Sequence, residues 1–354
     1  KFYLMAHIFK NPSTTNKGII VFTHKEWPWL LQNALSTVQN LKQYFYLGWN
    51  QGTYFGNINM PNIIDFAFTS PNCLTFPDNG NTLNIDLLDR NFISDDFTDL
   101  NIEKKHFDII CVARAIKLKN IPSLLKGLRK LIDKGHNYKT LLIIPTAENE
   151  TIEGYDTDIV EQYTKMFNHE ERKNITLVRL SKELGFLGIS PQTLNWFYNN
   201  SKILYIGSDS EGGCRVVHEA LLCGCNIVYW EDHRGALKDY LDNKNSVSFK
   251  NYDEVDRALE KAVENYSYVK NQGTEYNKLL SEVFTIEKLT PYFESLYKKD
   301  NSIFDGELIN CNNLGLRLPA HYLDVPWNHP TDPTADIKTV EQLNKFITFI
   351  QNNN

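Results

Sequence analysis

The 354-residue sequence predicts an α/β protein, with a Rossmann-like second half and a smaller α/β first half. Three observations carry that prediction. From about Asp108, short continuous apolar runs alternate with stretches whose apolar residues recur at helical spacing. Strands that are apolar along their whole length belong to parallel sheets covered by helices on both faces. A Gly-, Asn- and Asp-rich stretch at 77–99 separates this half from a shorter first half of the same character, and reads as a linker.

The first half offers strands at 2–8 (FYLMAHI), 18–24 (GIIVFTH), 43–49 (QYFYLGW) and 63–69 (IIDFAFT), with a helix over 29–42. The second half opens with the strand IICVA (109–113). Ile121, Leu124, Leu125, Leu128, Leu131 and Ile132 then mark one face of a helix. The series continues through a strand at 140–145, a helix near 158–168, a strand at 175–180, a helix at 191–199 and a strand at 203–207. A helix at 215–223 and the strand NIVYW (226–230) complete it. Helices follow at about 255–266, 275–283 and 286–297. The segment 312–333 has four prolines and little periodicity, and is expected to lie extended over a surface. A final helix at about 334–351 carries an apolar stripe of Val340, Leu343, Phe346, Ile347 and Ile350. These readings divide the chain into domains at 1–95 and 96–298, with a tail at 299–354 whose helix returns to the first domain.

Composition narrows the function. Hydrophobic residues make up 42% and charged residues 23%, as in ordinary globular chains. A net charge of −6 argues against general affinity for nucleic-acid backbone. No apolar run approaches the ~20 residues that span a bilayer. The opening KFYLMAHIFK is too short and mixed for a signal peptide, and its lack of an initial Met fits a piece of a longer polypeptide. Six scattered cysteines (Cys73, Cys111, Cys214, Cys223, Cys225, Cys311) show no disulfide or zinc spacing, which favours a reducing, cytoplasmic setting. Cys223-Gly224-Cys225 reads as a tight turn from helix to strand.

The chemistry concentrates in SDSEGGCRVVHEALLCGC, residues 208–225. In an open α/β sheet, ligands bind beyond the carboxyl ends of the strands. Glu211, Gly212 and Gly213 fall there, after the 203–207 strand. Glycines let backbone N–H groups approach a ligand, and the helix that starts near Cys214 directs its positive end to the same place, which suits a diphosphate. Glu219 lies roughly 8–10 Å along that helix at ~1.5 Å per residue. Glu211 and Glu219 are therefore too far apart to act as one acid/base pair or to share a metal. They can hold two hydroxyl-bearing ends of an extended ligand.

This stretch resembles the Glu-x7-Glu segment of retaining family 4 glycosyltransferases: Ser208, Glu211-Gly212, Glu219-Ala220 and Gly224 all fall at family spacing. ICVARAIKLKNIPSLLKGL resembles the opening of the family's C-terminal domain, with Arg114 and Lys119 at the interval of its two cations. FLGISPQTLNWFYNNSKILYIGS is similar to the run before the Glu motif, through Gly188, Leu194 and Tyr198. Gly213 stands where the family usually has Phe, and Cys214 where it has a second Gly. The Gly-rich turn after the second strand is absent, and Glu231-Asp232-His233-Arg234-Gly235 replaces the usual Gly-Gly loop.

The resemblance implies a GT-B fold, two Rossmann-like domains facing a cleft, here with a reduced N-terminal domain. It implies metal-independent transfer of a sugar, with retention, from a UDP- or GDP-linked donor to a glycan, lipid- or protein-linked acceptor, with no further cofactor. Arg114 and Lys119 would grip the diphosphate with the backbone of Gly212, Gly213, Cys214, Arg215 and Val216. Glu219 would bind the ribose and Glu211 the transferred sugar, while the 181–188 loop would meet the base. His24, after GIIVFT, is the candidate for the family's catalytic His that faces the donor sugar, with a structural His at a strand end as the other reading. Lys117 competes with Lys119 for its role. Trp27, Trp29, Trp49 and Tyr54 admit two readings, sugar stacking or core. Asp156-Thr157-Asp158 reads as a helix start rather than a metal pair, and His218 as packing. A nucleotide-sugar epimerase and a non-catalytic nucleotide-sugar or glycan-binding module are the alternatives.

Overall fold

The computed structural model describes residues 6–23, 26–50, 60–70, 82–88, 91–93, 96–145, 155–180, 189–266, 282–308 and 340–353. His24, Tyr54, the 181–188 loop and the 312–333 segment lie outside them, as does most of the expected 275–283 helix. The chain forms two compact units, 96–279 and the combination of 1–95 with 280–354.

The second unit is a six-stranded parallel sheet of β6 (Phe107–Val112), β7 (Thr140–Pro145), β8 (Ile175–Leu180), β9 (Ser201–Ile206), β11 (Asn226–Trp230) and β13 (Ser246–Phe249). Its spatial order is β13-β11-β9-β6-β7-β8. Counted from β6 this is 3-2-1-4-5-6, the dinucleotide-binding order, which reverses between β6 and β9. Helices α3 (Ile121–Asp133), α4 (Tyr155–Met166), α5 (Pro191–Asn199), α6 (Arg215–Leu222) and α7 (Val255–Glu264) connect or follow the strands. The apolar stripe of α3 (Ile121, Leu124, Leu125, Leu128, Leu131) packs with Ile109, Leu142, Ile203 and Val228 of the sheet and Val255 and Leu259 of α7. The turn after α6 closes with Cys225 N–H donating to Ala220 O at 2.9 Å and Gly224 N–H to Leu221 O at 3.0 Å. These two bonds form a Schellman cap. Cys223, Cys225, Cys111 and Cys214 are buried and take part in no disulfide among the described residues.

The first unit is a five-stranded sheet, β1 (Ala6–Lys10), β2 (Gly18–Thr23), β3 (Phe45–Asn50), β4 (Phe66–Thr69) and β5 (Leu83–Asp86), in that spatial order. β1 is antiparallel to β2 and the rest are parallel. Alternate residues go to opposite faces. Ile20, Phe22, Leu47 and Trp49 meet α1 (Glu26–Asn33), α2 (Leu35–Tyr44) and the last helix, α9 (Val340–Asn353), through Leu343, Ile347 and Ile350. Ile19, Val21, Tyr46, Phe66 and Phe68 meet α8 (Glu282–Lys299) through Leu289, Phe293, Leu296 and Tyr297.

Four expectations change. Residues 282–298 do not belong to the second unit: α8 packs on the first sheet because its stripe of Leu289, Phe293 and Leu296 complements that sheet's aromatic face. The 77–99 stretch is not only a linker, since Leu83, Ile85 and Leu87 alternate and 83–86 adds the edge strand β5. The expected helix 29–42 is two helices, broken at Ala34 (φ −141°, ψ 31°), where Asn33 Nδ2 donates back to Trp29 O at 2.9 Å. The short strand β13 escaped the pattern altogether; with four residues it has too little period to register.

Candidate functional site

The site is assembled by three loops at the carboxyl ends of β6, β9 and β11, around the point where the strand order reverses. The first loop leaves β6 through Ala113 and Arg114 and tightens into a 3-10 turn, Lys117–Lys119. Asn120 then takes left-handed backbone (φ 44°, ψ 46°), a conformation Asn tolerates well, and α3 begins with a proline in its first turn. Ser123 Oγ lies 2.6 Å from both Asn120 O and Tyr205 Oη, so β9 holds the turn in place.

The second loop runs from Gly207 to Cys214. Asp209 N–H donates to Leu118 O (3.4 Å), and its Oδ1 accepts from Tyr252 Oη at 2.5 Å. A Cβ on Gly207 would stand 2.7 Å from Tyr205 Oη and 3.1 Å from Lys119 O. Glycine here is what lets the cation-bearing turn lie against β9. The third loop joins the second through a two-stranded parallel ribbon, β10 (Ser210–Glu211) with β12 (Arg234–Gly235), and Arg234 N–H donates to Asp209 O at 3.0 Å. Gly235, opposite Glu211, has φ 112° and ψ −168°, backbone open almost only to glycine.

Lys119 Nζ forms an ion pair with Glu211 Oε1, and both side chains are largely buried. Ser208 Oγ donates to the same oxygen at 2.7 Å. Lys117 is exposed, which separates it from this constellation. Arg114 lies half-buried at the start of the same loop. Gly212 is buried and Gly213 half-buried. Cys214 is the N-cap residue of α6, without a side-chain cap bond, at φ −70°. That backbone suits any residue, so the glycine usual at this place is dispensable. Burial, and then the Glu211 charge, push the Cys214 thiol well above its ordinary value, so it is not a thiolate nucleophile.

Arg215 and Val216 form the half-buried first turn of α6. Glu219, one turn on, is buried with Arg215 Nε 3.7 Å away. Burial raises its pKa, only partly offset by the Arg215 charge. His218 is fully buried with Nδ1 2.9 Å from Cys214 O and its ring edge-on to Tyr240, a packing position. Asp156 pairs with Arg179 at 2.5 Å. Trp27 and Trp49 stack within the first unit's core, 6.5 Å apart, which resolves their two readings in favour of core.

Two residues of the site were not singled out by sequence reasoning. Gly207 is one, and its only signal was its place at the end of a strand. His233 is the other. Its imidazole is 1% exposed, and among the described residues neither ring nitrogen has a hydrogen-bond partner. Burial drives its pKa down to about 4, against the opposing pull of Glu211, so the ring is neutral near pH 7.

A six-stranded 3-2-1-4-5-6 sheet with a cation, a carboxylate and a helix N-terminus at its reversal point defines a Rossmann-like unit. A profile of the family "glycosyl transferases group 1" matches residues 92–278, more than half of the chain, and the chain belongs to that family. No curated protein matches it. Among solved structures, the pneumococcal O-GlcNAc transferase GtfA, crystallised with UDP and GlcNAc, is 15% identical over 75% of this chain and 55% of its own, with a TM-score of 0.50. TarM is 14% identical over 78% of this chain and 54% of its own, at 0.54; a second TarM crystal structure names S. aureus as its source. Sucrose-phosphate synthase of Thermosynechococcus elongatus is 13% identical over 80% and 73%, at 0.50. At these identities the shared property is the fold, a Rossmann-like GT-B fold. The chain spans about half the length of GtfA and TarM. Among the described residues, no helix is long and apolar enough to cross a membrane.

Proposed function

We propose that the chain transfers a sugar, with retention of anomeric configuration and without a metal, from a nucleotide sugar to a hydroxyl of a glycan, lipid- or protein-linked acceptor. The observation that carries this reading is the Lys119–Glu211 pair at the reversal point of a Rossmann sheet. Lys119 and Arg114 neutralise the diphosphate that leaves, together with backbone amides at the start of α6. Glu211 accepts hydrogen bonds from the transferred sugar and Glu219 from the ribose. The leaving phosphate takes the acceptor's proton on the same face, so neither carboxylate acts as the base. His24 is retained as the catalytic histidine of the first unit. UDP is the first nucleotide to test, because the GtfA and TarM crystals hold it. Six scattered cysteines without disulfide spacing fit a reducing, cytoplasmic setting.

A thermal-shift screen against UDP and GDP tests the reading directly. One of them is expected to raise the melting temperature. Lys119→Ala is expected to weaken that nucleotide on the order of tenfold or more, the value of a lost charge-assisted bond. Glu211→Gln is expected to keep nucleotide affinity and lower transfer by roughly 10²–10³. If neither nucleotide stabilises the wild type, the transferase reading is wrong.

A further inference from the structure

The Lys119–Glu211 pair raises a difficulty for donor binding. A diphosphate that draws the Lys119 ammonium off Glu211 leaves a largely buried carboxylate with the Ser208 hydroxyl on Oε1. A carboxylate in that position needs another donor. His233 is the neighbouring group without an assignment. It follows β11 in the loop that runs into β12, and β12 pairs with the strand that contains Glu211. Its ring lies in the field of Glu211, Lys238, Lys119 and Asp209. It is buried, and both nitrogens lack partners among the described residues. Buried polar side chains in that condition are uncommon, and the exceptions call for a functional account.

We propose that His233 is a positioning residue for Glu211: when the donor's diphosphate takes Lys119, the His233 ring N–H replaces it on the Glu211 carboxylate. The chemistry favours an imidazole for this exchange. A neutral ring donates one hydrogen bond without adding a positive charge that would compete with Lys119 for the phosphates. It leaves Glu211 ionised, with remaining lone pairs to accept from sugar hydroxyls. Lys119 is thereby released at small cost, and the carboxylate keeps its aim. The inference rests on the donor-site reading above.

A double-mutant cycle on nucleotide affinity tests it, with UDP and GDP as probes and titration calorimetry as the readout. His233→Ala is expected to weaken the bound nucleotide about tenfold in the wild-type background, the size of one hydrogen bond to a charged group. In a Glu211→Gln background the same change is expected to cost less than about twofold, because no carboxylate is left needing a donor. His233→Gln and His233→Asn keep a neutral N–H at the reach of the two ring nitrogens, and one of them is expected to restore the affinity. Equal losses in both backgrounds, or loss with no rescue by either amide, would overturn the assignment. If His233→Ala does not fold, the two amide variants carry the cycle, and the assignment is overturned if both fold and neither binds. A wild type that binds neither UDP nor GDP removes the donor site itself, whereas a wild type that binds with an additive cycle removes only the role of His233.

Discussion

The two units cover both faces of a sheet, all parallel in the second and mostly parallel in the first, in different ways. In the second unit the covering helices come from the connections between strands, and the whole unit is one continuous stretch, 96–279. In the first, strands β1 to β5 end at Asp86, and much of the cover arrives from the far end of the chain. α8 closes one face and α9 part of the other, nearly 200 residues or more after β5. Lys10 Nζ bonds Asp305 at 2.6 Å, Tyr46 Oη bonds Asp300 at 3.0 Å, and Thr37 Oγ1 bonds Asn344 at 3.1 Å, all within this unit. The nucleotide-type sheet thus carries its own core, whereas the other sheet depends on the chain's last helices.

The largest expected effect comes from removing that dependence. Phe293 of α8 is fully buried, with ring contacts to Phe66 at 5.5 Å and Phe304 at 5.8 Å. Phe293→Ala is expected to cost the first unit about 3–5 kcal/mol, the usual loss for a buried aromatic. Hydrogen exchange is expected to rise through β1–β5 and stay unchanged through β6, β7 and β9. Equal loosening of both sheets would show that the units share one folding transition, and the contrast between them would disappear.

A smaller effect is expected in the second unit, at a place where its self-sufficiency is tight. The Cβ added by Gly207→Ala meets Tyr205 Oη, which is pinned by Ser123 Oγ, and Lys119 O. Tyr205 is a buried core residue and cannot yield cheaply, so the Lys117–Lys119 turn must move. The cost is about 1–3 kcal/mol of stability, together with a nucleotide affinity closer to that of Lys119→Ala than to that of the wild type. Unchanged affinity would mean that the turn does not position the cation.

These two substitutions also mark how far the sequence could be read. The second sheet was legible because continuous apolar strands and amphipathic helices alternate along one stretch, and the loops carrying Arg114, Lys119 and Glu211 sit at strand ends by construction. The meeting of Lys119 with Glu211 was not legible: 92 residues separate them, and only the 3-2-1-4-5-6 order makes their strands neighbours. β5 was hidden inside a Gly- and Asn-rich stretch whose composition outweighed its short alternation of Leu83, Ile85 and Leu87. The placement of α8 was missed because an apolar stripe says that a helix is covered, not which sheet covers it. His233 gave no signal because a buried, partnerless imidazole is a property of the folded site alone.

The smallest effect is a pH dependence of opposite sign at one acid in each unit. Burial alone would raise Asp300 in the first unit, but bonds from Lys17 and Tyr46 outweigh it and hold its pKa below the ordinary 3.8. Its stabilising contribution is therefore present above 3.8 and is lost as the pH falls through the lowered value. Glu219 in the second unit is raised by burial above the ordinary 4.5. Between 4.5 and that raised value the folded unit binds more protons than the unfolded chain, so stability falls as the pH climbs through the window. Asp300→Asn should thus lose stability relative to the wild type at neutral pH, with the gap closing on acidification. Glu219→Gln should move the other way, its advantage over the wild type growing from about pH 4.5 upward. Urea unfolding of both variants from pH 3 to 8 is the measurement. Two gaps of the same sign would mean that Glu219 is not held as an unrelieved buried carboxylate, and the ribose-binding role assigned to it would then have to rest on its position in α6 alone.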